Sequence, residues 1–235
     1  MDFSHPALVH ARSVGRRLGI LRPFQRIYRR RRNIAYEKNF ERALLGHILR
    51  GDIVWDVGAN VGYYTKKFAD IVGAPGHVVA FEPSPHTFAT LSGAVTNNHN
   101  VTIANVALSN FEGYTDFYVG SDNDSPTDGL SAASIDAAHK VMQVAVTTGD
   151  RYIAENKAFA PTRIKIDVEG FESEVLSGLV EYLRSDKLKT LFIEIHFGVL
   201  AARGLFNEPR KITQLLRQNG FAISWTDPSH ICAQR

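Results

Sequence analysis

The chain has 235 residues, 44% hydrophobic and 22% charged, with one cysteine, no run of eighteen apolar residues and no apolar segment behind the N-terminal Met. Such a chain can bury a real core, and its composition argues against a membrane span, a signal peptide and a disulfide framework, so we expect a cytoplasmic protein. The formal net charge of +3 is uneven: residues 1–32 hold nine of the 27 Lys and Arg residues and one acid, whereas the other 203 residues hold 18 basic and 23 acidic residues, which argues against a nucleic-acid-binding body.

A basic arm occupies residues 1–33. Apolar residues recur at helical spacing on both sides of Pro23, and arginines fill most of the positions between them. This pattern predicts one broken or two short amphipathic helices. Three functions are open for the arm: a lid or packing element, contact with an anionic membrane surface, and, least favoured, nucleic-acid binding.

Helices and strands alternate from residue 34 onwards. Apolar residues keep a helical period from Ile34 to Arg50, and Gly51 is a typical helix stop. After it the pattern predicts a strand, a glycine turn, a helix, a second strand and a second helix, at 53–57, 58–60, 61–72, 77–81 and 85–97. Strands that alternate with helices predict a parallel sheet.

More strands are predicted in the second half of the chain. They lie at 101–105, in a hairpin-like pair at 114–119 and 141–147, and at 163–167, 190–196, 221–225 and 230–234. The last strand begins only five positions after Trp225, too few for a crossover helix, so it should run antiparallel to its predecessor. Residues 121–138 are rich in Ser, Asp and Gly and are expected to form an unusually long surface loop.

The turn after the first strand carries the most informative motif, Asp56-Val-Gly-Ala-Asn-Val-Gly62. Its glycines let backbone approach a ligand closely, and the following helix offers free N–H groups, as in nucleotide sites. An aspartate at the strand end would repel a pyrophosphate. It suits a cationic or hydroxyl-bearing ligand such as S-adenosylmethionine, and a nicotinamide-dependent dehydrogenase is disfavoured because its G-x-G-x-x-G motif is absent.

Glu82 ends the second strand, in Phe81-Glu-Pro83. An acid at this position can accept both ribose hydroxyls of an adenosine. On its own, Glu82 could equally be a solvated acid that caps a helix. Joined to Asp56 and Gly58, it favours an adenosine-containing cofactor.

Acidic residues and a histidine follow two later strands. Asp167 and Glu169 follow the strand 163–167, and Glu194 and His196 end the strand 190–196, on one face because side chains alternate along a strand. The carboxyl edge of an open α/β sheet binds ligands, so we expect these four side chains to share one rim.

This rim can supply the base that methyl transfer to oxygen needs. His196, with an ordinary pKa of about 6.5, is the better-placed base, and Asp167 and Glu169 are the alternatives. A divalent metal held by Asp167, Glu169 and His196 is possible but not favoured. Glu172, inside the helix that follows Gly170, is expected to be solvated or to interact with the helix dipole.

Four motifs together resemble the FkbM-type methyltransferases. They cover residues 51–65, 76–83, 105–109 and 165–172, in the family's order, within a resemblance that runs from 51 to 195. The resemblance implies an α/β fold of the class I methyltransferase (Rossmann-like) type: a three-layer sandwich with a mostly parallel seven-stranded sheet and an antiparallel last strand. It assigns residues 34–235 to this domain and leaves the arm outside.

The resemblance also implies roles for single residues. A cofactor, S-adenosylmethionine, would be lined at its methionine part by Asp56, Gly58, Ala59, Asn60 and Gly62. Glu82 would bind the ribose, Asn105 and Ala107 would border the adenine, and Asp167 would face the sulfonium or the acceptor.

The implied reaction is O-methylation of a sugar, glycolipid or secondary metabolite, with no nucleic acid as partner. Two alternatives remain open. An N-methyltransferase would use the same acids to hold a cation, and a cofactor-binding protein without catalysis would keep Asp56 and Glu82. The sequence leaves the oligomeric state open.

Overall fold

A seven-stranded sheet forms the centre of the computed structural model, which describes residues 3–5, 40–119 and 140–235. Its strands are β1 (Ile53–Val57), β2 (His77–Phe81), β3 (Val101–Ala104), β7 (Arg163–Ile166), β8 (Thr190–Glu194), β9 (Ala222–Trp225) and β10 (His230–Gln234). Their order in the sheet is β3-β2-β1-β7-β8-β10-β9. Strands β1, β2, β3, β7 and β8 pair in parallel, whereas β10 pairs antiparallel with both β8 and β9. The predicted fold class and the reversal of the last strand are therefore confirmed.

Helices cover both faces of this sheet. They are α1 (40–46, its described part), α2 (Tyr63–Val72), α3 (Pro85–Val95), α4 (Gly149–Glu155), α5 (Glu172–Ser177), α6 (Phe197–Ala202) and α7 (Glu208–Gln218). The first three pack on one face, and the other four pack on the opposite face. In the part of the chain that the structure describes, no helix is both long and apolar enough to span a bilayer.

The core follows from the alternation of side chains along each strand. On β1, Trp55 and Val57 point to the face covered by α4–α7, whereas Val54 points to the face covered by α1 and α2. Cys232 of β10 is buried on the second face, as expected for a small apolar side chain. Apolar burial on both faces stabilises the sheet and holds the carboxyl ends of its parallel strands in place.

A second, three-stranded sheet contains one strand that the sequence pattern did not predict. The predicted hairpin is present as β5 (Gly113–Val119) paired antiparallel with β6 (Lys140–Thr148). The missed strand, β4 (Ala107–Ser109), pairs in parallel with β6. Three residues are too few to show an alternating pattern, so only pairing with a distant segment identifies it.

Several predicted ends differ from the structure. Helix 34–50 ends early, with α1 stopping at residue 46, because the next residues turn: the backbone N–H of Leu49 bonds Asp52 Oδ2 at 2.8 Å, and Gly51 has a φ of +88°. The strands predicted at 163–167 and 190–196 end at Ile166 and Glu194. The predicted arm, apart from residues 3–5, and the whole predicted loop 121–138 lie outside the described residues, as do residues 1–2, 6–39 and 120–139 in general.

Candidate active site

The loop between β1 and α2 rests on the end of β7. Gly58 has a φ of +77°, and a Cβ added to it would lie 1.9 Å from the carbonyl oxygen of Asp167. At Gly62, with a φ of +88°, a Cβ would lie 2.8 Å from Leu91 Cδ1 of α3. Gly58 is therefore required by the packing of the protein itself, whether or not a ligand also approaches it. At Gly62 it is mainly the left-handed backbone that favours glycine.

Glu82 connects this loop to the end of β2. Its Oε2 accepts a hydrogen bond from the backbone N–H of Asn60 at 3.0 Å, and its Oε1 accepts one from the N–H of Ser84 at 2.9 Å. The side chain of Asn105, after β3, donates to the carbonyl oxygens of Glu82 and Pro83 at 2.8 and 3.0 Å. Glu82 is 6% exposed, so it is a nearly buried carboxylate in a fixed position at the sheet edge.

The other residues predicted to bind the cofactor differ in how far they are exposed. Ala59 and Ala107 are buried, Ala107 as the first residue of β4, and Asn60 and Asn105 are exposed. Asp56 is fully buried beneath the loop. In this arrangement Asp56 supports the loop from below.

A buried lysine holds Asp56 and was not singled out from the sequence. Lys165 of β7 is 3% exposed, and its Nζ lies 3.0 Å from Asp56 Oδ1, 3.0 Å from the carbonyl oxygen of Gly58 and 3.5 Å from Asp167 Oδ2. Thr65 donates to the other oxygen of Asp56 at 2.7 Å. Burial disfavours the charged ammonium, but the two carboxylates outweigh it and raise the pKa of Lys165.

Lys165 therefore joins the loop after β1 to the acid after β7. A signal for it was available in the sequence, where a single basic residue interrupts the apolar run Ile164-Lys-Ile166. A lysine inside a buried strand needs an anionic partner, and Asp56 on the neighbouring strand is that partner.

The rim predicted at the ends of β7 and β8 is present. His196 Nε2 lies 3.4 Å from Glu169 Oε2, 3.7 Å from Asp167 Oδ1 and 4.0 Å from Glu194 Oε1. The other ring nitrogen, Nδ1, lies 2.7 Å from Glu172 Oε1. Asp167, Glu169 and His196 each offer one atom within 4.8 Å of the others, close enough to hold a metal ion.

Glu172 matches its prediction only in part. It was expected to be solvated or to interact with the helix dipole; it is the first residue of α5, where the dipole favours an acid, but it is fully buried and not solvated. The signal for this was weak, because an acid at a helix start is ordinarily exposed. Its contact with His196 arises only when α5 and the end of β8 pack together.

The expectation that His196 is the free base needs correction. Burial alone would lower the pKa of His196, but the hydrogen bond to Glu172 and the charges of Glu172, Glu169 and Asp167 raise it to about 10. An imidazole with this pKa keeps its proton at neutral pH. Burial raises the pKa of Glu169 to about 7, although the charge of His196 opposes the shift. Glu169 is thus better matched than His196 to accept a proton near neutral pH.

Comparisons with known proteins identify the family of the chain. The Methyltransferase FkbM domain matches residues 56–223. Hexuronic acid methyltransferase AglP of Haloferax volcanii is 30% identical over 193 residues, which cover 80% of this chain and 70% of AglP. The 31-O-demethyl-FK506 methyltransferase FkbM of Streptomyces tacrolimicus is 29% identical over 201 residues, which cover 74% of each chain.

The fold is also that of a solved relative. The crystal structure of Methyltransferase FkbM from Methylobacillus flagellatus KT superposes with a TM-score of 0.50 at 18% identity. The match covers 77% of this chain and 42% of that chain. The chain described here belongs to the FkbM methyltransferase family.

Proposed function

We propose that this protein transfers the methyl group of S-adenosylmethionine to a hydroxyl oxygen of a sugar, glycolipid or secondary metabolite. The observation that carries the proposal is the buried Lys165, which joins a nucleoside-type site around Glu82 to an acidic rim at Asp167. A cofactor and an acceptor would thus lie side by side at one sheet edge. Because AglP acts on a hexuronic acid, a saccharide that carries one is the first acceptor to test.

The residues of the first three strand ends fit S-adenosylmethionine. Glu82 is a fixed, nearly buried carboxylate of the kind that accepts hydrogen bonds from ribose hydroxyls. Asn105 and Ala107 would border the adenine, and the loop through Gly58, Ala59, Asn60 and Gly62 would line the methionine part. Asp56 would hold this loop in place from beneath, through Lys165 and its bond to the carbonyl oxygen of Gly58.

The cofactor supplies an electrophilic methyl group. That methyl group would pass from the cofactor's sulfur to the acceptor oxygen, and the rim would orient the acceptor hydroxyl for this transfer. Glu169 would accept the hydroxyl proton, and Asp167 would hold the acceptor beside it.

Calorimetric titration with S-adenosylmethionine tests the cofactor site. Glu82→Ala removes hydrogen bonds to a charged group, so we expect binding roughly 10- to 100-fold weaker than in the wild type. Glu82→Gln, which keeps an acceptor, should lose less. Glu155→Ala removes an exposed glutamate of α4 and should leave binding unchanged.

A transfer assay with labelled S-adenosylmethionine tests the reaction. Label on a hydroxyl oxygen of a hexuronic acid saccharide, another sugar or a glycolipid would support the proposal. Label on an amine would favour the N-methyltransferase alternative. Cofactor binding without transfer to any acceptor would favour a catalytically inactive binding protein, and no binding at all would overturn the proposal.

A further inference from the structure

Three side chains of the rim are spaced as ligands of one ion. His196 Nε2 is 3.4 Å from Glu169 Oε2 and 3.7 Å from Asp167 Oδ1. A direct charged hydrogen bond would be shorter, about 2.7–2.9 Å. Two atoms that bind the same ion, each at about 2.1 Å, lie about 3 Å apart when adjacent and about 4.2 Å apart when opposite. Both measured separations fall between these limits.

Glu172 gives a second, independent observation. It is fully buried, and its Oε1 accepts from His196 Nδ1 at 2.7 Å and from the backbone N–H of Gly170 at 3.0 Å. Its other oxygen, Oε2, is buried with no hydrogen-bond partner in the described part of the chain. A buried carboxylate is costly unless positive charge compensates it. Without an ion, the second proton of His196 supplies that charge. A cation bound to Nε2 would take the place of that proton and supply the charge instead.

The same contact fixes the orientation of the ring. Because Glu172 holds Nδ1, the ring presents Nε2 to Asp167 and Glu169. A carboxylate that accepts from the second nitrogen of a histidine is the usual outer partner of a metal-bound imidazole. We propose that Asp167, Glu169 and His196 bind one divalent cation of the Mg²⁺ or Mn²⁺ type, with Glu172 as the residue that positions His196.

The ion site adds to the proposed function a way to bind the acceptor. This part of the inference rests on that function, because only a methyltransferase would bring an acceptor to the rim. Three protein atoms leave up to about three positions of a six-coordinate ion for other oxygens. An acceptor with two neighbouring oxygens, such as adjacent hydroxyls or a hydroxyl beside a carboxylate, would fill two of them. Glu169 would then serve as an ion ligand in place of proton acceptor. The positive charge would make the acceptor hydroxyl more acidic, and its proton would pass to water at this partly exposed rim.

Electron paramagnetic resonance of Mn²⁺ with the full-length chain, without S-adenosylmethionine, tests the ion site directly. We expect one bound Mn²⁺ in the wild type and none in the double variant Asp167→Asn/Glu169→Gln. Glu172→Gln should bind about 10- to 100-fold more weakly. Asp186→Asn, which removes one fully exposed carboxylate, is the matched control and should bind as the wild type does.

Circular dichroism and thermal melting check that each variant is folded. Absence of Mn²⁺ binding by the folded wild type would overturn the ion site, as would binding that survives in the folded double variant. Calorimetric titration with S-adenosylmethionine in the presence of EDTA separates the two proposals. If the cofactor binds and the labelled methyl group is transferred in EDTA, and the folded wild type binds no Mn²⁺, the ion proposal fails alone. If Mn²⁺ binds but the cofactor does not, the proposed function fails and the ion site stands.

Discussion

Lys165 is surrounded by the groups that a buried ammonium needs. Asp56, Asp167 and the carbonyl oxygen of Gly58 all lie within 3.5 Å of its Nζ. The lysine is one partner of a buried ion pair, and its energetic role appears when one partner is removed. A single uncompensated charge in the interior is more destabilising than the loss of the pair as a whole.

Lys165→Met therefore leaves Asp56 buried without its cation. We expect the free energy of unfolding to fall by about 3–5 kcal/mol. The double variant Asp56→Asn/Lys165→Met should recover a substantial part of this loss, because no unpaired charge remains. Urea denaturation measures both values. Lys66→Met is the control, because Lys66 is an exposed lysine of α2, next to Thr65. If Lys165→Met lowered the free energy of unfolding no more than this control does, the buried ion pair would be contradicted.

His230 links stability to pH. Its Nδ1 lies 2.8 Å from Asp227 Oδ1, its Nε2 lies 3.2 Å from Glu194 Oε2, and its ring stacks on Phe40. Burial alone would lower the pKa of His230, but hydrogen bonds to Asp227 and Glu194 and their charges raise it to about 9. The folded state thus holds this proton more tightly than the unfolded chain, whose histidine pKa is about 6.5.

The sign of the pH effect follows from that difference. The stabilisation by protonated His230 is fully present below about pH 6.5, falls as the pH rises, and is lost above about pH 9. It amounts to at most about 3.5 kcal/mol, at about 1.4 kcal/mol per pKa unit. Urea denaturation between pH 6 and pH 9.5 should show a smaller fall for His230→Gln than for the wild type. Equal slopes would show that His230 does not titrate as the structure implies.

At the scale of elements, the loop after β1 and the end of β7 form one packed unit. Gly58→Ala would place a methyl group against the Asp167 carbonyl and hold a non-glycine residue at a φ of +77°. The left-handed backbone alone destabilises by about 1–2 kcal/mol, and the clash adds to it. We expect weaker binding of S-adenosylmethionine, measured by calorimetry, together with a lower melting temperature.

Gly93 is the matched control for this substitution. It lies inside α3, where an added Cβ meets no atom within 4 Å. Gly93→Ala should stabilise the helix by about 0.5–1 kcal/mol and leave cofactor binding unchanged. If the two alanine variants behaved alike, the contact between Gly58 and Asp167 would not matter for the site.

Most of the central sheet could be predicted from the sequence, because each of its strands is an apolar run bounded by turn residues or helices. The run around Trp55 and the short gap after Trp225 were enough to predict a parallel sheet with one reversed strand. Strand β4 could not be predicted, since its three residues pair with a segment more than thirty positions later. The end of α1 was misplaced because Asp52, a side chain beyond the helix, decides where the turn begins.

The positions of the candidate site residues could be predicted from the sequence, but their protonation could not. Strand ends converge by topology, so the common rim of Asp167, Glu169 and His196 followed from their positions alone. The protonation of His196 did not, because it depends on a buried Glu172 that arrives from another element. Lys165 and Asp56 compensate each other's charge from neighbouring strands. The sequence shows that a lysine interrupts an apolar run, but it does not show which acid is its partner.

At the scale of the whole molecule, the described N-terminal residues 3–5 pack against the β9 edge of the sheet. Phe3 meets Trp225 edge to face at a ring distance of 5.6 Å, and Ser4 is buried. Trp225 in turn stacks on Phe197, the residue after His196. The beginning of the chain thus lies beside the element that carries part of the rim.

Phe3→Ala should remove this aromatic contact. We expect a loss of about 1 kcal/mol in the free energy of unfolding, together with a change in tryptophan fluorescence, since Trp225 is one of two tryptophans. Phe111→Ala removes an exposed aromatic ring elsewhere and is the control. A loss no larger than that of Phe111→Ala would show that residues 3–5 do not stay on the sheet in solution.

The position of β10 has a consequence for synthesis of the protein on the ribosome. Strand β10 lies between β8 and β9, which do not pair with each other. Until residues 230–234 have been made, the outer edge of β8 is open and β9 has no partner strand in the sheet. Open strand edges invite pairing with other chains. The nascent protein is therefore exposed to such pairing until β10 has left the ribosome and inserted between β8 and β9.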